Sequence, residues 1–233
     1  LEPVGRHESR PATVMVVIGT RPEAIKLAPV VRALASSPRF APRVVVTEQH
    51  REMVDQMLAL FGVTPDADLN LMAHGQSFSD IAARGVTAVG TVVRDVSPSA
   101  VVVQGDTTTA MASALAAFHE RVPVAHVEAG LRTGDRYSPF PEEVNRRLIT
   151  QLATLHLAPT RNAVDNLLAE GVSATTIRLT GNTIVDALLW AVDTCATYEG
   201  DAAARLAALE HDERKVLLVT AHRRESWESG LSR

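Results

Sequence analysis

Short β-branched runs alternate along this chain with longer segments rich in alanine and leucine, and that alternation restricts its fold more than any other feature. The runs occupy residues 13–18, 43–47, 100–104, 122–127, 154–158, 177–180 and 215–220. They are almost continuously apolar, without the in–out alternation of a half-exposed strand. That pattern marks strands buried on both faces, as in a parallel sheet. Residues 22–35, 52–61, 77–96, 107–120, 142–152, 161–170 and 183–197 read as helices between them. Parallel neighbours need a crossover connection, and right-handed crossovers wind helices onto both faces of the sheet. The predicted fold is α/β, a doubly wound parallel sheet.

With 233 residues, 46% of them apolar, the chain can bury more than one such sheet needs. Residues 198–214 change character: they are charged, helical in pattern and poor in β-branched residues. The expected organisation is a leader at 1–12 without order, a first domain at 13–197, a helical connector at 198–214 and the start of a second domain at 215–233. A fresh strand at 215–220 followed closely by Arg233 leads us to expect a piece of a longer protein. The net charge of -4 argues against a nucleic-acid binder, which needs a basic footprint. It suits a small anionic ligand met by local arginines. The single cysteine, Cys195, excludes an internal disulfide and a cysteine-rich zinc site, and fits a reducing compartment such as the cytoplasm. No apolar run is long enough to span a bilayer as a helix, and the first twelve residues lack the apolar stretch of a signal peptide.

Ligands of open parallel sheets bind at the carboxyl ends of the strands, and five polar segments fall there. In the first, Thr20 can cap a helix that has Pro22 in its first turn. Its free N–H groups, with Arg21 and Lys26, suit a phosphate; an ordinary capped turn with two surface cations explains it equally. The segment lacks the glycine patterns of dinucleotide-binding and Walker loops. The second, containing Gln49 and Arg51, reads as well as a solvated loop. In the third a strand runs through Gly105 into Asp106 and three threonines, and taken alone Asp106 reads as an N-cap. The fourth is the most informative. Glu128 follows a buried strand, and a loop with glycines and prolines leads to Glu142, Glu143, Arg146 and Arg147, with Arg132, Asp135 and Arg136 on the way. Such punctuation specifies a path that a plain solvated loop does not need. In the fifth, His222, Arg223 and Arg224 suit a diphosphate as well as they suit solvent. Together the segments place at least three carboxylates and several cations on one sheet edge. Neighbouring carboxylates push their pKa values apart, so that one can act as base and another as acid.

The stretches GTRPEAIKLAPV (19–30), QHREM (49–53), QGDTTTAMASALAAF (104–118), VPVAHVEAGLRTGDRYSPFPEEVNRRL (122–148), GNTIVDALLW (181–190) and TAHRRES (220–226) resemble the UDP-N-acetylglucosamine 2-epimerase family, most closely its bacterial non-hydrolysing branch. The resemblance covers about residues 13–227. It implies two Rossmann-like domains in the glycosyltransferase-B arrangement, with most of the second absent here. It also implies a cytoplasmic homodimer, no metal, no cofactor, no nucleic-acid or membrane partner, and interconversion of UDP-GlcNAc and UDP-ManNAc for surface polysaccharides. The family mechanism eliminates UDP to give 2-acetamidoglucal and adds it back after C2 is reprotonated from the other face. Carried over by motif, Asp106, Glu128 and Glu142 are the catalytic carboxylates and His222 lies against the leaving diphosphate. Arg21, Lys26 and Arg132 bind substrate or support its phosphates, and Gln49 and Arg51 belong to a second, activating UDP-GlcNAc site. Three other readings stay open: a hydrolysing epimerase that releases UDP and ManNAc, a glycosyltransferase of the same architecture, and a non-catalytic UDP-sugar-binding half-protein. Ser226 stands where the family usually has asparagine. Because the second domain of this fold supplies most nucleotide contacts, the 233-residue chain alone is expected to turn over UDP-GlcNAc poorly. Robust turnover by it in a coupled UDP-ManNAc assay would refute that expectation.

Overall fold

The computed structural model describes residues 10–47, 51–71, 75–194, 203–210, 215 and 217. In chain order these form β1 (Ala12–Ile18), α1 (Arg21–Ala35), β2 (Phe40–Val46), α2 (Arg51–Leu60), β3 (Ala67–Asp68), α3 (Phe78–Val96), β4 (Ala100–Gln104), α4 (Thr108–His119), β5 (Val124–Val127), α5 (Glu142–Leu152), β6 (Leu155–Ala158), α6 (Arg161–Ala169), β7 (Ile177–Leu179), α7 (Thr183–Thr194) and α8 (Ala203–Glu210), with a 3₁₀ turn at Ala174–Thr176. The seven strands make one sheet in the order β3-β2-β1-β4-β5-β6-β7, and every pair is parallel. The predicted doubly wound, Rossmann-like fold is present.

β1 shows why its run is continuously apolar. Val14, Val16 and Ile18 enter one core with Leu27 and Val31 of α1 and Val54 and Leu58 of α2. Met15 and Val17 enter the other with Val89 and Val93 of α3, Ala114 of α4 and Ile149 of α5. Alternate residues therefore meet opposite helix layers, and burying each such side chain stabilises by about 1.5–3 kcal/mol. Among the described residues no helix is long and apolar enough to cross a membrane.

The winding direction reverses between β1 and β4, which sit side by side, so the crevice of this sheet opens at their carboxyl ends. Two features differ from the prediction. β2 begins at Phe40 and so contains Pro42. β3 pairs only with Val45 and Val46, which leaves β2 an open edge at Pro42, where its missing N–H is tolerated. β3 itself is two residues long and too short to leave a periodic signal. The expected strand at 215–220 lies outside the described residues apart from 215 and 217, as do 195–197 of the last predicted helix; within the expected connector, α8 is described and is helical. The chain divides into two compact units, Leu1–Trp190 and Ala191–Arg233.

A buried polar pair underlies the crevice. His126 on β5 and His156 on β6 are register partners, 0% and 2% exposed. His126 Nε2 donates to the Gly105 carbonyl at 2.7 Å and His156 Nε2 to the Thr150 carbonyl at 3.0 Å. A carbonyl only accepts, so each Nε2 carries the proton. Neither Nδ1 has a hydrogen-bond partner among the described residues. Burial pulls the His126 pKa down to about 4; the Gly105 carbonyl opposes this, and His156, Arg132 and Arg146 add to it.

Gly130 has φ +89°, and a Cβ there would stand 2.2 Å from the Ala163 carbonyl oxygen. Gly130→Ala is expected to destabilise by more than about 4 kcal/mol. Gly134→Ala, with φ +84° but open space around it, is expected to cost only about 1–2 kcal/mol. Thermal melts of the two variants test the difference, and equal melting temperatures would contradict the packing described. For His126 the neutral form is favoured in the fold, so between about pH 6.5 and 4 the unfolded chain binds the extra proton. Stability present above pH 6.5 should fall through that window by up to about 3 kcal/mol. Urea denaturation at pH 7 and pH 5 measures this, and His126→Gln should flatten the dependence.

Candidate active site

The β1–α1 turn is built on a capping box. Thr20 caps α1, and the Glu23 side chain returns to the Thr20 N–H at 2.8 Å. Glu23 is 3% exposed and also accepts from the Gly19 N–H and, at 2.7 Å, from the Thr107 hydroxyl. One carboxylate thus ties the end of β1 to the start of α4. The N–H groups of Gly19 and Thr20, just before the helix, are answered from within the protein. The spacing Thr20-x-x-Glu23 is visible in the sequence, yet Glu23 was not among the expected site residues.

At the end of β4 the N-cap reading of Asp106 is overturned. Thr107 is the cap, accepting from the Ala110 N–H at 3.0 Å. The Asp106 carboxylate is bound by the Arg146 guanidinium, and Asn145 Nδ2 donates to the Asp106 carbonyl at 3.0 Å. α5 therefore holds the Gly105–Asp106 turn from the side. A capping hydroxyl one residue later leaves Asp106 available for that ion pair.

At the end of β5, Glu128 adopts φ +65°, a left-handed conformation that is uncommon away from glycine. Its carboxylate is gripped. Lys26 Nζ lies 2.8 Å from Oε1 and 2.6 Å from Oε2, Asn182 Nδ2 donates to Oε1 at 3.3 Å, and Gln104 Nε2 donates to Oε2. Side-chain exposures of 23% for Lys26 and 11% for Glu128 place this pair at the cleft wall.

These groups line one cleft of about 450 Å³, with Thr20, Pro22, Glu23, Lys26, Gln104, Gly105, Asp106, Thr107, Glu128 and Leu131 around it. A roomier cleft of about 640 Å³ beside β3 has Asp55, Asp66 and Asp68 in its wall, with Asp66 paired to Arg43 at 2.6 Å, but it lies at the sheet edge and not at the switch point. Among the described residues no group of three His, Cys, Asp or Glu side chains could hold a metal ion.

Of the expected site residues, Asp106, Glu128 and Lys26 come together in this cleft. Arg21 is exposed at the first residue of α1. Glu142 is half-buried at the first residue of α5, outside the cleft lining, and its carboxylate has no hydrogen-bond or ion-pair partner among the described residues. Its neighbour Glu143 is fully buried and organises the loop instead. It accepts from the Thr133 N–H at 3.1 Å and from Arg147 at 3.2 Å, with Arg146 at 3.3 Å. Burial pushes its pKa up, but the Thr133, Arg147 and Arg146 contacts outweigh this and hold it below the usual carboxylate range. Arg132 stands away from the cleft lining. Its guanidinium grips Glu170 at 2.7 and 2.6 Å and also donates to the Thr150 hydroxyl and the Leu131 carbonyl. That hydrogen-bonded pairing lowers the Glu170 pKa against the effect of burial. Arg51 opens α2, but its side chain, Gln49 and His222 lie outside the described residues.

Comparison with known proteins shows which family the fold and sequence resemble. The UDP-N-acetylglucosamine 2-epimerase of Salmonella typhimurium is 50% identical over 221 residues, covering 94% of this chain and 58% of its own length. A crystal structure of an enzyme described as a putative UDP-N-acetylglucosamine 2-epimerase from Listeria monocytogenes superimposes with a TM-score of 0.85 at 45% identity, covering 94% of this chain and 56% of the other. The UDP-GlcNAc 2-epimerase of Neisseria meningitidis bound to UDP-GlcNAc gives a TM-score of 0.77 at 46% identity, over 79% of this chain and 50% of that one. The chain thus spans a little over half the length of the relatives it matches. The family model for UDP-N-acetylglucosamine 2-epimerase matches residues 32–232, and the chain belongs to that family.

Proposed function

We propose that this chain supplies the first-domain half of the active site of a non-hydrolysing UDP-N-acetylglucosamine 2-epimerase. The observation that carries this reading is the meeting of Asp106 and Glu128, each beside a cation, at the switch point of the sheet. The bound sugar nucleotide of the Neisseria relative supports the choice of ligand. In this reading residues 13–197 form the first domain and 215–233 begin the second. The protein works as a cytoplasmic homodimer on UDP-GlcNAc and UDP-ManNAc.

The chemistry requires groups of this kind. The proton on C2 of an N-acetylhexosamine is barely acidic, so its removal must be coupled to loss of the diphosphate from C1. A carboxylate takes the C2 proton, the C–H electron pair forms the C1=C2 bond, and the C1–O pair departs with UDP. Return of UDP after protonation of C2 on the opposite face inverts that carbon. One proton-transfer group is needed on each face, and Asp106, Glu128 and Glu142 are the set from which they come. His222, Arg21 and Lys26 face the diphosphate, where positive charge stabilises the leaving group. Arg132 acts through the loop it anchors, and Gln49 with Arg51 belongs to the activating site.

Incubation of the two-domain enzyme that this reading calls for, rather than of the 233-residue chain alone, with UDP-GlcNAc in deuterated water tests the reading. UDP-ManNAc carrying deuterium at C2 is expected, and Asp106→Asn or Glu128→Gln should each lower its formation about 10²–10⁴-fold. Free ManNAc as the product would indicate the hydrolysing branch. Tight binding of UDP-GlcNAc without C2 exchange would make the protein a non-catalytic binding module.

A further inference from the structure

The hydrogen bonds to Glu128 raise a problem for its proposed role. An ionised carboxylate offers about four lone-pair positions. At Glu128 all four are taken: Oε1 by Lys26 and Asn182, Oε2 by Lys26 and Gln104. A carboxylate filled in this way has nowhere to receive a proton from carbon. Before it can act as a base, a donor has to leave.

The three donors are not equally free to do so. Gln104 is 3% exposed at the end of β4 and carries no charge. Asn182 is fixed by its own Oδ1, which accepts from the Ile184 N–H at 3.1 Å, and is also neutral. Lys26 differs on both counts. Its ammonium ends a flexible stem, is 23% exposed and lines the cleft. It alone of the three carries a charge for which an incoming anion can compete, and it occupies a position on each oxygen.

We propose that Glu128 is a latent base gated by Lys26. A phosphate or diphosphate group entering the cleft draws the ammonium away, and one lone-pair position opens on each carboxylate oxygen. No proton moves in this step. Gln104 and Asn182 stay in place and act as positioning residues, holding the carboxylate on its left-handed backbone while it accepts the C2 proton. This deepens the epimerase reading and rests on Glu128 being a proton acceptor. Its consequence is selectivity: a sugar without an anionic group leaves the base closed, so free N-acetylglucosamine is not activated for C2 exchange.

The test is an NMR titration of the protein with inorganic pyrophosphate, following Glu128 Cδ and Lys26 Nζ by isotope labelling. Both resonances should move with one midpoint. In Lys26→Met the Glu128 signal should already be displaced toward its pyrophosphate-saturated position and should no longer respond, and pyrophosphate should bind about tenfold more weakly. Lys26→Arg, which keeps the charge, should retain the coupled movement, and it serves as the second variant if Lys26→Met does not fold. The gate is overturned if pyrophosphate fails to bind, or if it binds and shifts Lys26 while Glu128 stays unmoved. C2 exchange on UDP-GlcNAc without the coupled shift would leave the epimerase reading standing and remove the gate. The coupled shift without exchange would do the reverse.

Discussion

In the β4–β5 register Gln104 stands opposite Val127, so the two strands end at the same level and Gly105 and Glu128 leave them side by side. The Gly105 N–H closes the ladder on the Val127 carbonyl at 3.0 Å, while the Gly105 carbonyl accepts a hydrogen bond from the buried His126 Nε2–H. Everything at the cleft depends on this pairing. It sets Gln104 next to the Glu128 carboxylate, aims Asp106 toward α5 and brings Thr107 within reach of Glu23. A slip of one residue would turn every side chain of β5 to the opposite face and separate the groups described.

The segment after Glu128 is secured from below by paired charges. The Thr133 N–H on Glu143, whose charge Arg146 and Arg147 answer within α5, and the Arg132–Glu170 pair fasten it to α5 and to the end of α6. Such pairs contribute little net stability compared with apolar side chains of the same size, but removing one member strands the other charge. Arg146 carries the network on to the Asp106 carboxylate at the end of β4.

Much of the sheet could be read from the residues because burial on both faces leaves long apolar runs, and α5 begins and ends where its pattern predicts. β3 escaped because two residues carry no period. In the site, the strand-end positions of Asp106 and Glu128 were legible, since each follows a β-branched run, and Lys26 stands in the second turn of the helix after β1. Their partners were not. Lys26 and Glu128 are 102 residues apart, and Asp106 and Arg146 are 40 apart, so only the fold brings them together. Thr107 and Asp106 are both good capping residues, and propensity alone could not choose between them. Glu143 and Glu142 are adjacent and chemically identical. Only packing shows that the second of the two is buried under the loop.

The left-handed backbone at Glu128 has a consequence for how this protein tolerates change. Glycine would relax that turn, and asparagine would strain it less than glutamate does. The strain of about 1–2 kcal/mol is present in every folded molecule, occupied or empty. Selection for thermal resistance alone should therefore drift toward glycine at this position, while the proton-transfer role proposed for Glu128 would hold glutamate in place. At this residue robustness and chemistry favour different amino acids, so engineering for stability has to exempt it.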